Sequence, residues 1–308
     1  MIEIASHGLM LFYWKRFKRN KAALASLVFL TFLVLTAIFG PFFTIDPTRI
    51  DFQKKELPPL GFSIEHFIYN PETKQIERRM VSGNWEHPLG TDDKGRDMLA
   101  MLVSGARVSL FVGLVATALA ILNGTLIGVV SAYRGGVIDN LLMRITDVIM
   151  TFPFFILLVL MVFIFGQSLG LIILMIGLTG WTGTARMIRS EVLSLKNRDF
   201  ILALKVLGAS EKRIIFRHIL PNVASLIIVI STLSIPGVIL AESGLSFIGL
   251  GDPNLISWGK MLHDGQRTLT TAWWMAVEPG AILFLTVLAF NFFGDGLRDA
   301  LDPRALMR

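Results

Sequence analysis

Six long runs of apolar residues alternate with polar connections along most of the chain. Their approximate limits are 22–43, 108–131, 141–165, 169–188, 222–241 and 277–293. At ~1.5 Å of rise per residue, a helix of about 20 residues crosses the ~30 Å hydrocarbon layer of a membrane. The pattern therefore predicts an all-α polytopic membrane protein with six transmembrane helices.

The distribution of basic residues predicts how the chain is threaded through the membrane. Five of them directly precede the first apolar run: Lys15, Arg16, Lys18, Arg19 and Lys21. Between residues 186 and 217, eight Lys or Arg residues oppose three acidic ones, and Arg298, Arg304 and Arg308 follow the last run. Because short loops rich in Lys and Arg remain inside the cell, we expect both termini and the 189–221 segment to be cytoplasmic.

These assignments divide the chain into consecutive segments. We predict a cytoplasmic N-terminal segment (1–21), a first transmembrane helix (22–43) and an extracytoplasmic loop (44–106). A core of five transmembrane helices (107–299) and a cytoplasmic tail (300–308) follow. The end of the loop turns apolar with helical spacing, which indicates a short amphipathic helix that leads into the second run.

Small residues recur at every fourth position of the second apolar run: Ala116, Ala120, Gly124, Gly128 and the flanking Ala132. Small side chains at this spacing form a groove in which the backbone of another helix can approach closely. Because successive members drift around the helix, we expect a buried contact that crosses at an angle.

Charged and kinked positions suggest further features of the third and fifth runs. Arg144 and Asp147 share one helical face, so we expect them to pair near the membrane entrance. Pro236, followed by Gly237, should bend the fifth helix. Glu242 lies just beyond it, where a charge could face a wet cavity or the entrance for solute. A simple packing role for Pro236 and an ordinary interfacial position for Glu242 are equally open alternatives.

The basic segment at residues 201–222 reads ILALKVLGASEKRIIFRHILPN and separates the fourth run from the fifth. Gly208 suits the left-handed residue that ends one helix, and Ser210 suits the N-cap of the next, with Glu211 at its positive end. Pro221 either starts a further helix or ends the preceding one. We therefore predict two short helices with a bend, for which a plain connecting loop is the alternative.

Composition and charge exclude several classes of protein. With 53% hydrophobic and 17% charged residues, the chain is far from a soluble domain. Its net charge of +6 is concentrated beside the apolar runs, which indicates membrane orientation and not nucleic-acid binding. It has no Cys, and no phosphate-binding glycine-rich motif is present, so any ATP that drives it must be bound by another chain.

The positions of acidic residues and His argue against chemistry on this chain. Asp92, Asp93 and Asp97 lack the spacing of a calcium loop, so a capped turn is expected there. All five His lie outside the six runs, and the acidic residues in or beside the runs lie near span ends without dyad spacing. A membrane enzyme is therefore disfavoured, and a stand-alone secondary transporter is the better rival, although no inverted repeat is evident.

The 201–222 segment resembles the EAA loop of permease subunits in binding-protein-dependent ABC importers, whose pattern is Glu-Ala-Ala, three residues, Gly, nine residues, Ile, one residue and Leu-Pro. Four positions match it: Ala203, Gly208, Leu220 and Pro221. Leu202, Leu204 and His218 depart from it. Further stretches resemble the peptide and nickel branch of this family, between about residues 15 and 304: RHILPN, HPLGTDDKGRD with GARVSL, and AESGLSFIGLG with PNLISWGKML.

This resemblance implies the type I ABC importer permease fold and one half of a translocation pathway in the inner membrane. It also implies four kinds of partner: membrane lipid, a sister permease in a heterodimer, two cytoplasmic ATPases that hold ATP and Mg, and an extracytoplasmic solute-binding protein that delivers peptide. No cofactor is expected on this chain. Nickel or another small solute remains open as the cargo.

The EAA loop of such permeases supplies a coupling helix that docks in a groove of the ATPase. A short amphipathic helix with apolar anchors and basic neighbours has the chemistry for that contact. The residues expected to take part are Ala203, Gly208, Ala209, Ser210, Ile214, Ile215, Phe216, Leu220 and Pro221.

Overall fold

The computed structural model describes residues 12–70 and 75–301, most of which are helical. The chain divides into two compact units. The first comprises Met1–Leu30, Val112–Ala241 and Val287–Arg308, and the second comprises Thr31–Phe111 and Glu242–Thr286.

Helices account for the apolar runs. Residues 12–19 form α1, and five segments of the described residues are long and apolar enough to cross a membrane. Two of them are the single helices α3 (Met98–Arg134) and α12 (Trp274–Leu301). The other three combine neighbouring elements: α2 (Lys21–Phe39) with the 3-10 turn Gly40–Phe42; α6 (Leu169–Thr179) with α7 (Thr182–Lys196); and α9 (Glu211–Ile214) with the helical turn Ile215–Ile219 and α10 (Leu220–Phe247).

The third apolar run, predicted as a span at 141–165, forms a bent pair of helices that together count as a sixth candidate span among the described residues. Helix α4 (Gly136–Thr151) and helix α5 (Phe154–Phe165) meet at 83°. The break falls at Phe152, whose extended backbone (φ −84°, ψ 132°) is the conformation that a following proline favours. With 12 residues, α5 is about 18 Å long, so it is too short to cross the membrane alone.

Two helices extend beyond their predicted limits. The expected short amphipathic helix before the second span is the first part of α3, which continues for 37 residues. Helix α10 continues through Pro236 to Phe247, although its predicted span ended at 241. A proline removes one backbone donor, and the rest of the helix keeps its hydrogen bonds because no other conformation satisfies the backbone in a membrane.

The predicted extracytoplasmic loop contains structure that the apolar pattern did not indicate. Strands β1 (Ser63–Asn70) and β2 (Gln75–Ser82) form an antiparallel hairpin with Ser63 opposite Ser82. In the second unit, the short helix α11 (Trp258–Gly265) has Ser257 as its N-cap. The apolar stretch before it continues α10 as far as Phe247, and a turn follows.

The acidic turn before α3 stabilises the start of that helix. Asp92 accepts hydrogen bonds from the backbone N–H groups of Lys94 (2.9 Å) and Arg96 (2.7 Å). Asp97 Oδ1 accepts from Ala100 N–H at 2.7 Å and caps α3, while its Oδ2 lies 2.8 Å from His87 Nδ1. Asp92 and Asp97 thus serve as turn and cap acceptors, as the capped-turn interpretation predicted.

Candidate functional site

The basic segment has the predicted two-helix form. Helix α8 (Asp199–Val206) ends before Gly208, whose φ of +76° is the left-handed conformation that glycine adopts without strain. Ser210 is the N-cap of α9, and its hydroxyl accepts a hydrogen bond from Arg213 N–H at 3.4 Å. Helix α9 has only four residues and continues as a π-helical turn (Ile215–Ile219) into α10.

The π-helical turn ends at Ile219, just before α10 begins, and Pro221 lies in the first turn of α10. Proline has no N–H to donate to the preceding turn, and wider hydrogen bonding is a common adjustment at such a place. The amide of Asn222 donates to the carbonyl oxygen of His218 at 2.6 Å and satisfies one backbone acceptor there. The segment therefore enters α10 without a full break in the helical path.

The inner face of this segment is packed against the first unit. Ile201, Ile214 and Ile219 are almost completely buried in a core cluster. That cluster also contains Val192 of α7 and Tyr133 of α3, with Ala209, Ile215 and Leu220 packed against it. The expectation that Ile214 is presented to a partner is therefore wrong in this structure. The residue instead anchors α9 within its own chain.

The outer face of the same segment carries a different set of apolar residues. Val206, Leu207 and Phe216 are 88%, 81% and 70% exposed. Ala203 and Pro221 are exposed as well, and four exposed basic residues surround the face: Lys205, Lys212, Arg213 and Arg217. Sequence reasoning included Phe216 but missed Val206 and Leu207, because the helical pattern alone does not tell which face is covered.

Ionic contacts hold the helices that support this segment. Arg189 of α7 donates from Nε and Nη2 to the two carboxylate oxygens of Asp139, both at 2.6 Å. Ser131 donates to the same carboxylate. Lys196 Nζ donates to the carbonyl oxygens of Ala132 (3.1 Å) and Tyr133 (2.7 Å), and so caps the end of α3. Such bidentate and charged contacts define one arrangement of α3, α4 and α7.

Asp147 has a different partner from the one predicted. Its carboxylate accepts a hydrogen bond from Arg186 of α7 and not from Arg144. A pair three residues apart on one helix gains only about 0.2–0.5 kcal/mol, so a better-placed cation on a neighbouring helix replaces it easily. The contact adds a second link between α4 and α7.

The small-residue stripe of α3 packs inside its own chain. All five members are buried: Ala116, Ala120, Gly124, Gly128 and Ala132. A Cβ atom on Gly124 would lie 2.6 Å from Thr184 Cβ and 2.8 Å from the carbonyl oxygen of Trp181. A Cβ atom on Gly128 would lie 2.7 Å from the carbonyl oxygen of Ala185. The backbone of α7 therefore occupies the groove next to the two glycines.

Glu242 lies in a cluster of hydroxyl groups within the second unit. It is only 1% exposed, so it neither faces an open cavity, which was one of the two alternatives left open by the sequence, nor lies exposed at an interface. Ser246 Oγ donates to Oε1 at 2.7 Å, and Ser243 and Ser109 donate to Oε2 at 3.4 Å. A buried carboxylate is tolerated when its oxygens are hydrogen-bonded. The cluster joins α3 to the end of α10.

The remaining candidate, Pro236, is a buried residue of α10 and directly follows a residue that lines a pocket of the first unit. A pocket of about 500 Å³ between α3 and α10 is lined at one end by Ile235. Thr117 and Thr125 also line it, and their buried hydroxyls have no hydrogen-bond partner among the described residues. The pocket is otherwise mostly apolar. Among the described residues, no group of three or more His, Asp or Glu side chains is arranged to hold a metal.

Comparison with known proteins identifies the family. Residues 124–307 match the inner membrane component of binding-protein-dependent transport systems, and residues 12–59 match the N-terminal transmembrane domain of oligopeptide transport permease C. The oligopeptide permease OppC of Haemophilus influenzae is 39% identical over 94% of this chain and 87% of its own length. The dipeptide permease DppC of Bacillus subtilis is 40% identical over 94% of this chain and 84% of its own. The oligopeptide permease OppC of Escherichia coli is 39% identical over 98% of this chain and 94% of its own length.

Solved structures support the same fold. The chain is similar to one in the inward-facing MetNI methionine ABC transporter, with TM-scores of 0.55 and 0.53 in two crystal forms at 19% and 20% identity. The match covers 67% of this chain and 98% of that chain. The predicted type I importer permease fold is thereby confirmed. This chain belongs to the multi-pass inner membrane permeases of binding-protein-dependent ABC transport systems, in the branch that contains OppC and DppC.

Proposed function

We propose that this permease forms one half of an ATP-driven translocation pathway for peptides that a solute-binding protein delivers. The observation that carries the proposal is the identity of 38–40% to oligopeptide and dipeptide permeases along 94% or more of the chain. The other half of the pathway is a sister permease. ATP and Mg are held by two separate ATPase subunits on the cytoplasmic side, where the basic flanks also put both termini.

The exposed apolar face of the 201–222 segment is the docking surface for an ATPase subunit in this proposal. Interfaces of this kind combine a few apolar anchors with a polar rim. Val206, Leu207 and Phe216 are the anchors, and the four surrounding basic residues form the rim. Ile201, Ile214 and Ile219 fasten the surface to α3 and α7, so a displacement of the docked ATPase is passed to those helices.

Pro236 and Glu242 are proposed to belong to the part of the permease that responds to ATP. Helix α10 directly follows the docking segment, and a rigid helix transmits a displacement along its axis. The missing backbone hydrogen bond at Pro236 lowers the resistance to bending at that point.

Reconstitution tests the cargo and the energy source. The chain is co-purified with its sister permease, ATPases and binding protein, and is placed in proteoliposomes that receive labelled peptides of two to five residues. We expect peptide uptake that requires both ATP and the binding protein. Uptake of nickel without peptide would overturn the cargo assignment alone, whereas peptide uptake without ATP would overturn the importer mechanism.

A matched pair of substitutions tests the docking surface. Val206→Asp introduces a charge into the proposed contact, and Val137→Asp introduces the same charge at a residue that is 83% exposed but outside the segment. We expect Val206→Asp to reduce ATPase retention and uptake at least about tenfold, which corresponds to ~1.4 kcal/mol, while Val137→Asp leaves both near the wild-type level. Equal behaviour of the two variants would contradict the docking assignment.

A further inference from the structure

A pocket of about 400 Å³ with both polar and apolar lining residues lies in the second unit, between the end of the first transmembrane segment and the beginning of α3. Ala100, Ser104 and Arg107 form one wall. The other wall is formed by five residues at the end of the first segment: Pro41, Thr44, Ile45, Asp46 and Pro47. Ala100, Ser104 and Arg107 recur at helical spacing, so they share one face of α3. The pocket belongs neither to the 201–222 segment nor to the pocket between α3 and α10.

The wall on α3 presents an arginine without an ion-pair partner among the described residues. Arg107 is exposed and forms no hydrogen bond or ion pair with any described residue. It is the tenth residue of a helix of 37 residues, which is about 56 Å long and exceeds the ~30 Å hydrocarbon layer by several turns. Arg107 therefore lies near the membrane–water boundary. A guanidinium at that level binds a planar or tetrahedral oxyanion well, because it can donate two parallel hydrogen bonds.

The opposite wall presents a carboxylate with one unused oxygen. Thr48 donates to Asp46 Oδ1 from its backbone N–H (2.8 Å) and from its hydroxyl (2.6 Å), while no described residue donates to Oδ2. The same hydrogen bonds from Thr48 hold the pKa of Asp46 below its ordinary value, so the group is negatively charged at neutral pH. Asp46 and Arg107 line one pocket without forming an ion pair.

The first transmembrane segment, whose end forms one wall of the pocket, also carries an exposed apolar stripe. Phe32, Leu35, Phe39 and Phe42 are spaced by three and four residues and are between 47% and 81% exposed. This spacing places them on one side of the helix, where lipid acyl chains can lie. Phe42 and the neighbouring Phe43 are strongly exposed where the segment ends, as is typical of aromatic residues at a membrane interface.

We propose that this pocket binds the headgroup of a zwitterionic phospholipid with a primary amine, the chemistry of phosphatidylethanolamine. The phosphate contacts the Arg107 guanidinium and the ammonium donates to Asp46 Oδ2, while the acyl chains lie in the bilayer beside the first transmembrane segment. A choline headgroup has no N–H to donate to Asp46, and a glycerol headgroup has no cation. The pocket therefore distinguishes lipids that share the same acyl chains.

Lipid retention in native mass spectrometry tests this assignment on the full chain with its co-purified subunits. The protein is released from nanodiscs that contain equal amounts of phosphatidylethanolamine, phosphatidylcholine and phosphatidylglycerol with identical acyl chains. We expect wild-type protein to retain phosphatidylethanolamine about tenfold better than phosphatidylcholine. Asp46→Asn should remove that preference, Arg107→Gln should reduce retention of all three lipids, and Arg107→Lys should restore part of it. Arg49→Gln, an exposed cation of the same loop outside the pocket, should behave as wild type.

Several results would overturn the proposal. One is equal retention of the three lipids by the wild type, and another is unchanged phosphatidylethanolamine retention in Arg107→Gln. Displacement of the lipid by millimolar phosphoethanolamine or diglycine would assign the pocket to a water-soluble zwitterion instead. Each variant is first compared with wild type by gel filtration and circular dichroism. If Arg107→Gln is misfolded, the decision rests on Asp46→Asn and Arg107→Lys.

Discussion

The hydroxyl of Ser246 donates a 2.7 Å hydrogen bond to Oε1 of Glu242, one turn earlier on α10. Both side chains are buried, and this bond is shorter than the 3.4 Å contacts that Ser109 and Ser243 make with the other oxygen. The amide of Trp258, at the start of α11, in turn donates to Ser109 Oγ at 3.4 Å. One carboxylate therefore connects three helices of the second unit.

Removal of the Ser246 hydroxyl should destabilise the permease. Ser246→Ala leaves Oε1 of Glu242 buried without its closest donor, which costs about 1–3 kcal/mol. Ser231→Ala is the matched control, because Ser231 donates only to the carbonyl oxygen of Ile227 in its own helix, and we expect a change below about 0.5 kcal/mol. Titration with denaturing detergent measures both free energies of unfolding. Equal losses in the two variants would refute the special role of Ser246.

Gly208 should tolerate only residues that adopt a left-handed backbone. A Cβ atom at this position would meet nothing within 4 Å, so the cost of Gly208→Val is conformational and amounts to at least about 1–2 kcal/mol. We expect normal amounts of the variant in the membrane but loss of ATPase docking and peptide uptake. Gly208→Asn should recover part of the activity, and Gly183→Val, with open space and an ordinary backbone, should have little effect. Full uptake by Gly208→Val would show that the bend is not needed.

Enlarging the small-residue stripe should damage folding of this chain. Gly124→Leu forces a side chain against the backbone of Trp181, which cannot rotate away, so we expect a loss of about 3 kcal/mol or more. Gly170→Leu is the control, because a Cβ atom there has nothing within 4 Å. Thermal unfolding of the purified chain measures the effect. Wild-type stability of Gly124→Leu would mean that α7 does not pack here.

The two ion pairs between α4 and α7 should differ in strength. Asp139 and Arg189 form the more buried, bidentate pair, whereas Asp147 and Arg186 are more exposed. Double-mutant cycles with Asn and Gln should give a coupling free energy of about 1–3 kcal/mol for the first pair and of about 0.2–1 kcal/mol for the second. The reverse order, or no coupling at Asp139, would contradict the role assigned to this pair.

Pro236 should act as a bending point if the proposed mechanism holds. The chain has no Cys, so Asn222→Cys and Leu240→Cys allow spin labels at exposed positions on either side of the proline. A straight helix separates these positions by about 27 Å. We expect the measured distance to change between nucleotide-free and ATP-trapped complexes, and Pro236→Ala to suppress the change. Identical distances in both states would show that α10 moves as a rigid rod or not at all.

Local properties of the chain were predictable because they depend on residues that are close in sequence. The apolar runs predicted the membrane helices, and the left-handed Gly208 and the Ser210 N-cap followed from the geometry of helix ends. The buried stripe of α3 also followed from spacing, because small side chains invite close backbone approach. The motifs of the 201–222 segment and of the acidic turn led to the family that the comparisons confirm.

Only the tertiary structure decided which side of each element is covered. The period of α9 could not reveal that Ile214 faces the core while Phe216 is exposed, since this depends on where α3 and α7 lie. Asp147 pairs across 39 residues with Arg186, because a neighbouring helix offers a better geometry than Arg144 in the same helix. Glu242 is enclosed by serines from α3 and α10. The 83° angle between α4 and α5 is likewise seen only in the structure, because Pro153 marks the place of the break but not its angle. Burial and ion pairing are set by packing between distant segments, and helical periodicity alone does not show which segment or which charged group lies opposite a given face.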